Sequence, residues 1–117
     1  MSRDRGLTPA TEHKVAQLKK GFVDSFADRL PALENWQGEV SASRPDRTVM
    51  QSLRTEIHQL RGSAGLYGLT DLFQALDVVQ RELDEVLETG CRGPLSPAGQ
   101  QQLTQVLKLM RFPSRFL

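Results

Sequence analysis

The sequence predicts an all-α chain: an antiparallel up-down four-helix bundle with a short connector helix and a frayed N-terminal leader. Three observations carry that expectation. Leu, Ala, Gln, Glu and Arg dominate the 117 residues, while alternating runs of Val, Ile, Thr and aromatics are absent, which favours helix over strand. Apolar residues recur every three to four positions in four long stretches, the period of an amphipathic helix. Short segments bearing Pro or Gly separate the stretches, and four helices joined by short loops describe an up-down bundle.

Met1 to Leu7 reads as a polar leader, and Thr8-Pro9 then offers a helix cap with a first-turn proline. The first helix is expected to run to about Trp36 with Val15, Leu18, Phe22, Phe26, Leu30 and Leu33 inward, and Pro31 should bend or break it. Gln37 to Arg44 reads as a short irregular or one-turn connector. Pro45-Asp46 opens the second long helix, whose inward set is Val49, Leu53, Ile57, Leu60 and Ala64, and Gly65 and Gly68 mark its end. Thr70-Asp71 caps a third helix carrying Leu72, Phe73, Leu76, Val79, Leu83, Val86 and Leu87, which stops at Thr89-Gly90. After the Gly93-Pro94 loop, Ser96-Pro97 opens a last helix with Leu103, Val106, Leu107 and Met110 inward, ended by Phe112-Pro113. One domain over residues 8–112 follows, with flexible ends at 1–7 and 113–117.

Composition narrows the function. A net charge of +1, with Lys and Arg offset nearly one for one by Asp and Glu, argues against a dedicated nucleic-acid binder. No apolar run is long enough for a signal peptide or a membrane span. The single Cys91 can form neither an internal disulfide nor a metal cluster. A reducing, cytoplasmic home is expected.

The residues that carry chemistry lie in His58-Gln59-Leu60-Arg61-Gly62-Ser63-Ala64-Gly65-Leu66-Tyr67-Gly68. At about 100° per residue, Leu60, Leu53, Ile57, Ala64 and Val49 all fall roughly 100–180° from His58, so the imidazole faces out. An idle surface histidine is the plain alternative. Against it stands Gly62, one turn on and on the same face, where a helix-interior glycine costs about 1 kcal/mol relative to alanine. A cost without a packing gain suggests access for something large. Gly65 shares that face, or simply belongs to the stop signal. Arg47, Arg54 and Arg61 fall within about 60° of His58 and form a basic stripe, which is either a docking surface or a solvated face.

Gln80 lies within about 60° of Phe73, Leu76, Leu83 and Leu87 on the third helix, so its amide borders the apolar stripe and wants a partner. In an antiparallel hairpin turning near Gly68, His58 and Gln80 sit at about the same height. The amide oxygen would then accept from one ring nitrogen and fix the tautomer, leaving the other nitrogen's lone pair presented outward. The alternative is a peripheral glutamine reaching into solvent.

The His58–Gly68 segment resembles the signature of histidine-containing phosphotransfer (HPt) domains, His-x-Leu-Lys-Gly-Ser-Ala with a further glycine closing the helix. Phe22 to Leu33 looks like that family's first bundle helix, and the fourth helix is generic. The resemblance implies that His58 accepts a phosphoryl group from a receiver-domain aspartate and passes it to another receiver in a multistep two-component phosphorelay. It implies response-regulator receivers and a hybrid sensor kinase as partners, with Mg2+ only on the receiver and no cofactor of the chain's own. Arg61 stands where the family usually carries lysine and would stabilise the phosphoryl group. Gly62, Gly65, Arg54 and Arg47 would serve receiver docking. Glycine-rich nucleotide boxes are absent from the sequence, so the chain would be a carrier rather than an autonomous kinase.

Two other chemistries fit poorly. A metal site has too few ligands, with His13 on the polar side of the first helix and Cys91 in a distant loop. A hydrolase using His58 needs a nearby nucleophile, and Ser63 points nearly the opposite way on the helix. The serious rival is a helical adaptor that binds a receiver or kinase without phosphotransfer, and the intact set of His58, Arg61 and Gly62 argues against it.

Overall fold

A computed structural model of the chain describes residues 9–41 and 45–116. The expected leader, Thr8 and the last three residues of the expected connector fall outside them. The described residues are all-helical: α1 (Pro9–Asp24), α2 (Phe26–Val40), α3 (Arg47–Leu66), α4 (Thr70–Glu88) and α5 (Pro97–Arg111), closed by a 3-10 turn at Pro113–Phe116. Helices α2 to α5 each pack against two of the others, α3 on α4, α4 on α5, α5 on α2 and α2 on α3. Between them lies one apolar core whose largest buried members include Phe26 and Leu33 of α2, Met50, Leu53, Ile57 and Leu60 of α3, Leu72, Leu76 and Leu83 of α4, and Leu103 and Leu107 of α5.

The expected long first helix is two. Its break falls at Ser25, whose backbone stays near the right-handed helical region at φ −70° and ψ −12°, while Pro31 lies inside α2. A proline ring acts on the turn before it, meeting the carbonyl four residues back, here that of Ala27. Upstream, the Ser25 hydroxyl donates to the Phe22 carbonyl at 2.6 Å and accepts from Arg29 Nε at 3.0 Å. The backbone bonds from Ser25 N to Gly21 O and from Arg29 N to Ser25 O, both 3.1 Å, continue across the break. Ser25 N and Asp28 N also reach carbonyls three residues back, Phe22 O and Ser25 O, so the irregularity is a local tightening before Pro31. Downstream, α2 continues through Val40, so Gln37 to Val40 belong to it and no separate connector helix stands among the described residues.

The remaining boundaries follow side-chain chemistry. The Asp46 carboxylate caps α3, accepting from Thr48 N at 2.7 Å and Val49 N at 3.3 Å. Ser96 caps α5 through Gly99 N at 3.0 Å, with Pro97 in the first turn. Thr70 is the first residue of α4 rather than its cap; Leu69 takes the cap position without a side-chain bond. At the end of α3, Gly68 adopts φ +72°, and Leu69 N returns to Ala64 O at 2.9 Å while Gly68 N reaches Gly65 O at 3.3 Å. This pair of bonds satisfies carbonyls that a helix end leaves open and turns the chain directly into α4.

Two expectations about the core are corrected. In α3 the buried residue at the first turn is Met50, with Val49 only half-buried. In α1 the residues Val15 and Leu18 are 39% and 50% exposed, because α1 packs mainly through its last turns against α2 and the 3-10 turn. Beyond α5 the chain forms the 3-10 turn at Pro113–Phe116. Phe116 packs its ring edge-on against Phe26, with centroids 6.3 Å apart.

Candidate functional site

Helices α3 and α4 form a hairpin in which each step down one helix is matched by an equal step up the other. Three polar pairs cross the seam in register. Arg61 Nε meets Asp77 Oδ1 at 2.8 Å, His58 Nδ1 meets Gln80 Oε1 at 3.2 Å, and Arg54 Nε meets Asp84 Oδ1 at 2.7 Å. The apolar stripes of both helices face the core, so these residues occupy the margin of the contact, half in water. No described polar or charged residue is buried.

His58 is exposed on α3. Its partner atom, an amide oxygen, can only accept, so Nδ1 carries the proton in this pairing. Nε2 is left with its lone pair. In this pairing the ring's other nitrogen, Nε2, is the one not engaged by Gln80. Beside it Gly62 is exposed, and a Cβ built there would meet nothing within 4 Å, so the helix surface next to the imidazole is bare. Gly65 is different: a Cβ there would lie 3.2 Å from two carbons of the Phe73 ring. Close packing against Phe73 is thus a reason for glycine at position 65 that Gly62 does not share.

The arginines do not form the open basic stripe expected from sequence. Arg54 is neutralised by Asp84 and Arg61 by Asp77. The Arg61 guanidinium also lies over the Phe73 ring, 4.9 Å from its centroid. The second oxygen of Asp77 is taken by Arg81, one turn along α4. Arg47 donates from Nη1 to the Leu87 carbonyl at 3.3 Å, an acceptor in the last turn of α4 that it shares with Gly90 N.

Sequence reasoning missed Asp77, Arg81, Asp84 and Phe73. The signal for the two aspartates was present: the same hairpin register that sets Gln80 opposite His58 sets Asp77 opposite Arg61 and Asp84 opposite Arg54. Elsewhere, His13 is exposed on α1, Cys91 is a half-buried free thiol with φ +56°, and neither joins the His58 site. Among the described residues no three His, Cys, Asp or Glu side chains gather as a metal site requires, and no helix is long and apolar enough to cross a membrane. In comparisons with known proteins, no family model matches the chain, and no curated protein or solved structure matches it either.

Proposed function

We propose that the chain is a phosphoryl carrier of the histidine phosphotransfer kind, working in the cytoplasm, with α2 to α5 arranged as an antiparallel up-down bundle that holds His58 on its surface. It takes a phosphoryl group from the phosphoaspartate of one response-regulator receiver, loaded by a hybrid sensor kinase, and passes it to the aspartate of another. Any Mg2+ required belongs to the receiver. The observation that carries this reading is the exposed imidazole held through Nδ1 by Gln80 at 3.2 Å beside a glycine that leaves the approach open.

The step follows from that geometry. The Nε2 lone pair attacks phosphorus, the bond from phosphorus to the carboxylate oxygen breaks, and its electron pair returns to the aspartate. The proton stays on Nδ1, where the Gln80 oxygen stabilises the positive charge that the ring gains. The reverse reaction discharges the group onto the next receiver. No general base is required, because the attacking nitrogen carries no proton.

A second reading, the adaptor without transfer, draws on one observation: Arg61 is bound to Asp77 rather than standing free beside the imidazole. Incubation with a radiolabelled phosphorylated receiver separates the two. A carrier takes up acid-labile, base-stable label that vanishes in His58→Gln protein. Stable complex formation without label in the wild type would establish the adaptor instead.

A further inference from the structure

Asp77 is shared between two arginines. Its Oδ1 accepts from Arg61 Nε at 2.8 Å, and its Oδ2 pairs with Arg81 from the next turn of α4. The carboxylate is only 18% exposed, Arg61 is 33% exposed, and Arg81 stands out in water at 77%. The Arg61 guanidinium leans over Phe73, which precedes Gln80 by seven residues, about 10 Å along the axis of α4. Asp77 and Phe73 therefore hold this cation on the side away from the imidazole. The group best placed to meet a phosphoryl dianion on His58 is parked in the resting protein.

We propose that Asp77 and Arg81 are positioning residues that park and release Arg61. The proposal rests on the phosphotransfer reading of His58. When the imidazole carries a phosphoryl group, its two negative charges compete with Asp77 for Arg61, and the guanidinium swings one turn along α3 to donate paired hydrogen bonds. That movement leaves Asp77 without its inner partner in a half-desolvated position, where an unpaired carboxylate is costly. Arg81 already holds the other oxygen and supplies the remaining countercharge, so the carboxylate is never bare. Arg61 itself need only rotate about its side-chain bonds, with the stem staying against α3. The seam then has two charge arrangements, Arg61–Asp77–Arg81 when His58 is free and Arg61–phosphoryl with Asp77–Arg81 when it is loaded.

The test loads His58 from phosphoramidate, in which Nε2 attacks phosphorus and ammonia leaves, so that no receiver docking enters the rate. Arg81→Ala should slow loading roughly two- to fivefold, the scale of a partly exposed ion pair, and Arg81→Lys should restore it. Asp77→Asn should speed loading by a similar factor, alone or combined with Arg81→Ala. In an Arg61→Ala background all of these variants should load at one rate. The Arg61 Nε–H resonance reads the movement directly, shifting on phosphorylation in wild type and already lying near the loaded position in free Asp77→Asn protein. An Arg81→Ala effect that persists without Arg61, or an Arg61 resonance that loading does not move, overturns the proposal while leaving His58 as the acceptor. Absence of any loading in the wild type overturns the phosphotransfer reading and this proposal with it.

Discussion

Gly65 lies against the Phe73 ring so closely that a Cβ would stand 3.2 Å from two of its carbons, whereas Gly62, three residues earlier on the same side of α3, faces open space. Two glycines that look alike in sequence thus have opposite reasons to be there. Gly62→Ala should stabilise the chain by up to about 1 kcal/mol, the helix-interior penalty of glycine. Gly65→Ala should gain less or lose, because Phe73 must give way. Gly62→Gln should remain well folded yet slow transfer from a phosphorylated receiver. Urea midpoints at unchanged slope read the first pair of effects, and transfer kinetics read the second. Unimpaired transfer in a folded Gly62→Gln variant would show that the bare patch is not where the receiver sits.

The contact between His58 and Gln80 predicts that Gln80→Leu separates stability from function. The amide borders Leu76 and Leu83, both buried, so an apolar replacement of similar size fits the seam and should leave stability unchanged or slightly raised. Phosphoryl uptake should fall several-fold, consistent with losing one orienting hydrogen bond of about 1 kcal/mol. The imidazole nitrogen spectrum decides the cause. A tautomer ratio at His58 that is the same in both proteins would mean that the glutamine does not set it.

Much of this arrangement was legible because helical period and hairpin register are both local rules. Asp46 and Ser96 as caps, Gly68 as the turn into α4, and the meeting of His58 with Gln80 all follow from a few residues of sequence. What was not legible depended on competition. The break falls at Ser25, where the hydroxyl turns back onto the Phe22 carbonyl, whereas the sequence marks Pro31, which α2 accommodates. Periodicity marks Val15 and Leu18 as an apolar stripe but does not say whether another element covers it. Met50 replaces Val49 in the core because the first turn of a stripe is ambiguous by one residue, about 100°. Reading Arg47, Arg54 and Arg61 as one basic stripe considered α3 alone, and the charges opposite them on α4 cancel most of it.

The pairing of Arg54 with Asp84 changes what its removal should do. Both side chains are 37% exposed, so after solvent screening the pair contributes at most about 0.5 kcal/mol to stability. Its electrostatic effect on an acidic receiver is that of a dipole. Arg54→Ala bares Asp84 and should slow association, most at low salt, while Asp84→Ala should speed it. The double variant should associate as the wild type does. A double variant as slow as Arg54→Ala would show that the receiver touches Arg54 itself.

Phe112 and Phe116 flank the end of the chain's last helix and make opposite predictions. Phe112 is 63% exposed. Phe116 is half-buried, and its ring stands edge-on to Phe26 at 88°; Phe26 is itself 1% exposed and pairs with Phe22 at 5.1 Å. Edge-to-face contacts add about 0.5–1.5 kcal/mol beyond the area they cover, so Phe116→Ala should cost roughly 1–2 kcal/mol once lost apolar burial is included. Phe112→Ala should stay within about 0.5 kcal/mol of wild type, as exposed substitutions do. The loss at Phe116 should also loosen α1, whose last turns rest partly on the 3-10 turn, and amide exchange over Gly21–Asp24 should rise in Phe116→Ala but not in Phe112→Ala. Equal, small effects of the two substitutions would show that the 3-10 turn detaches from the core in solution and contributes nothing to holding α1.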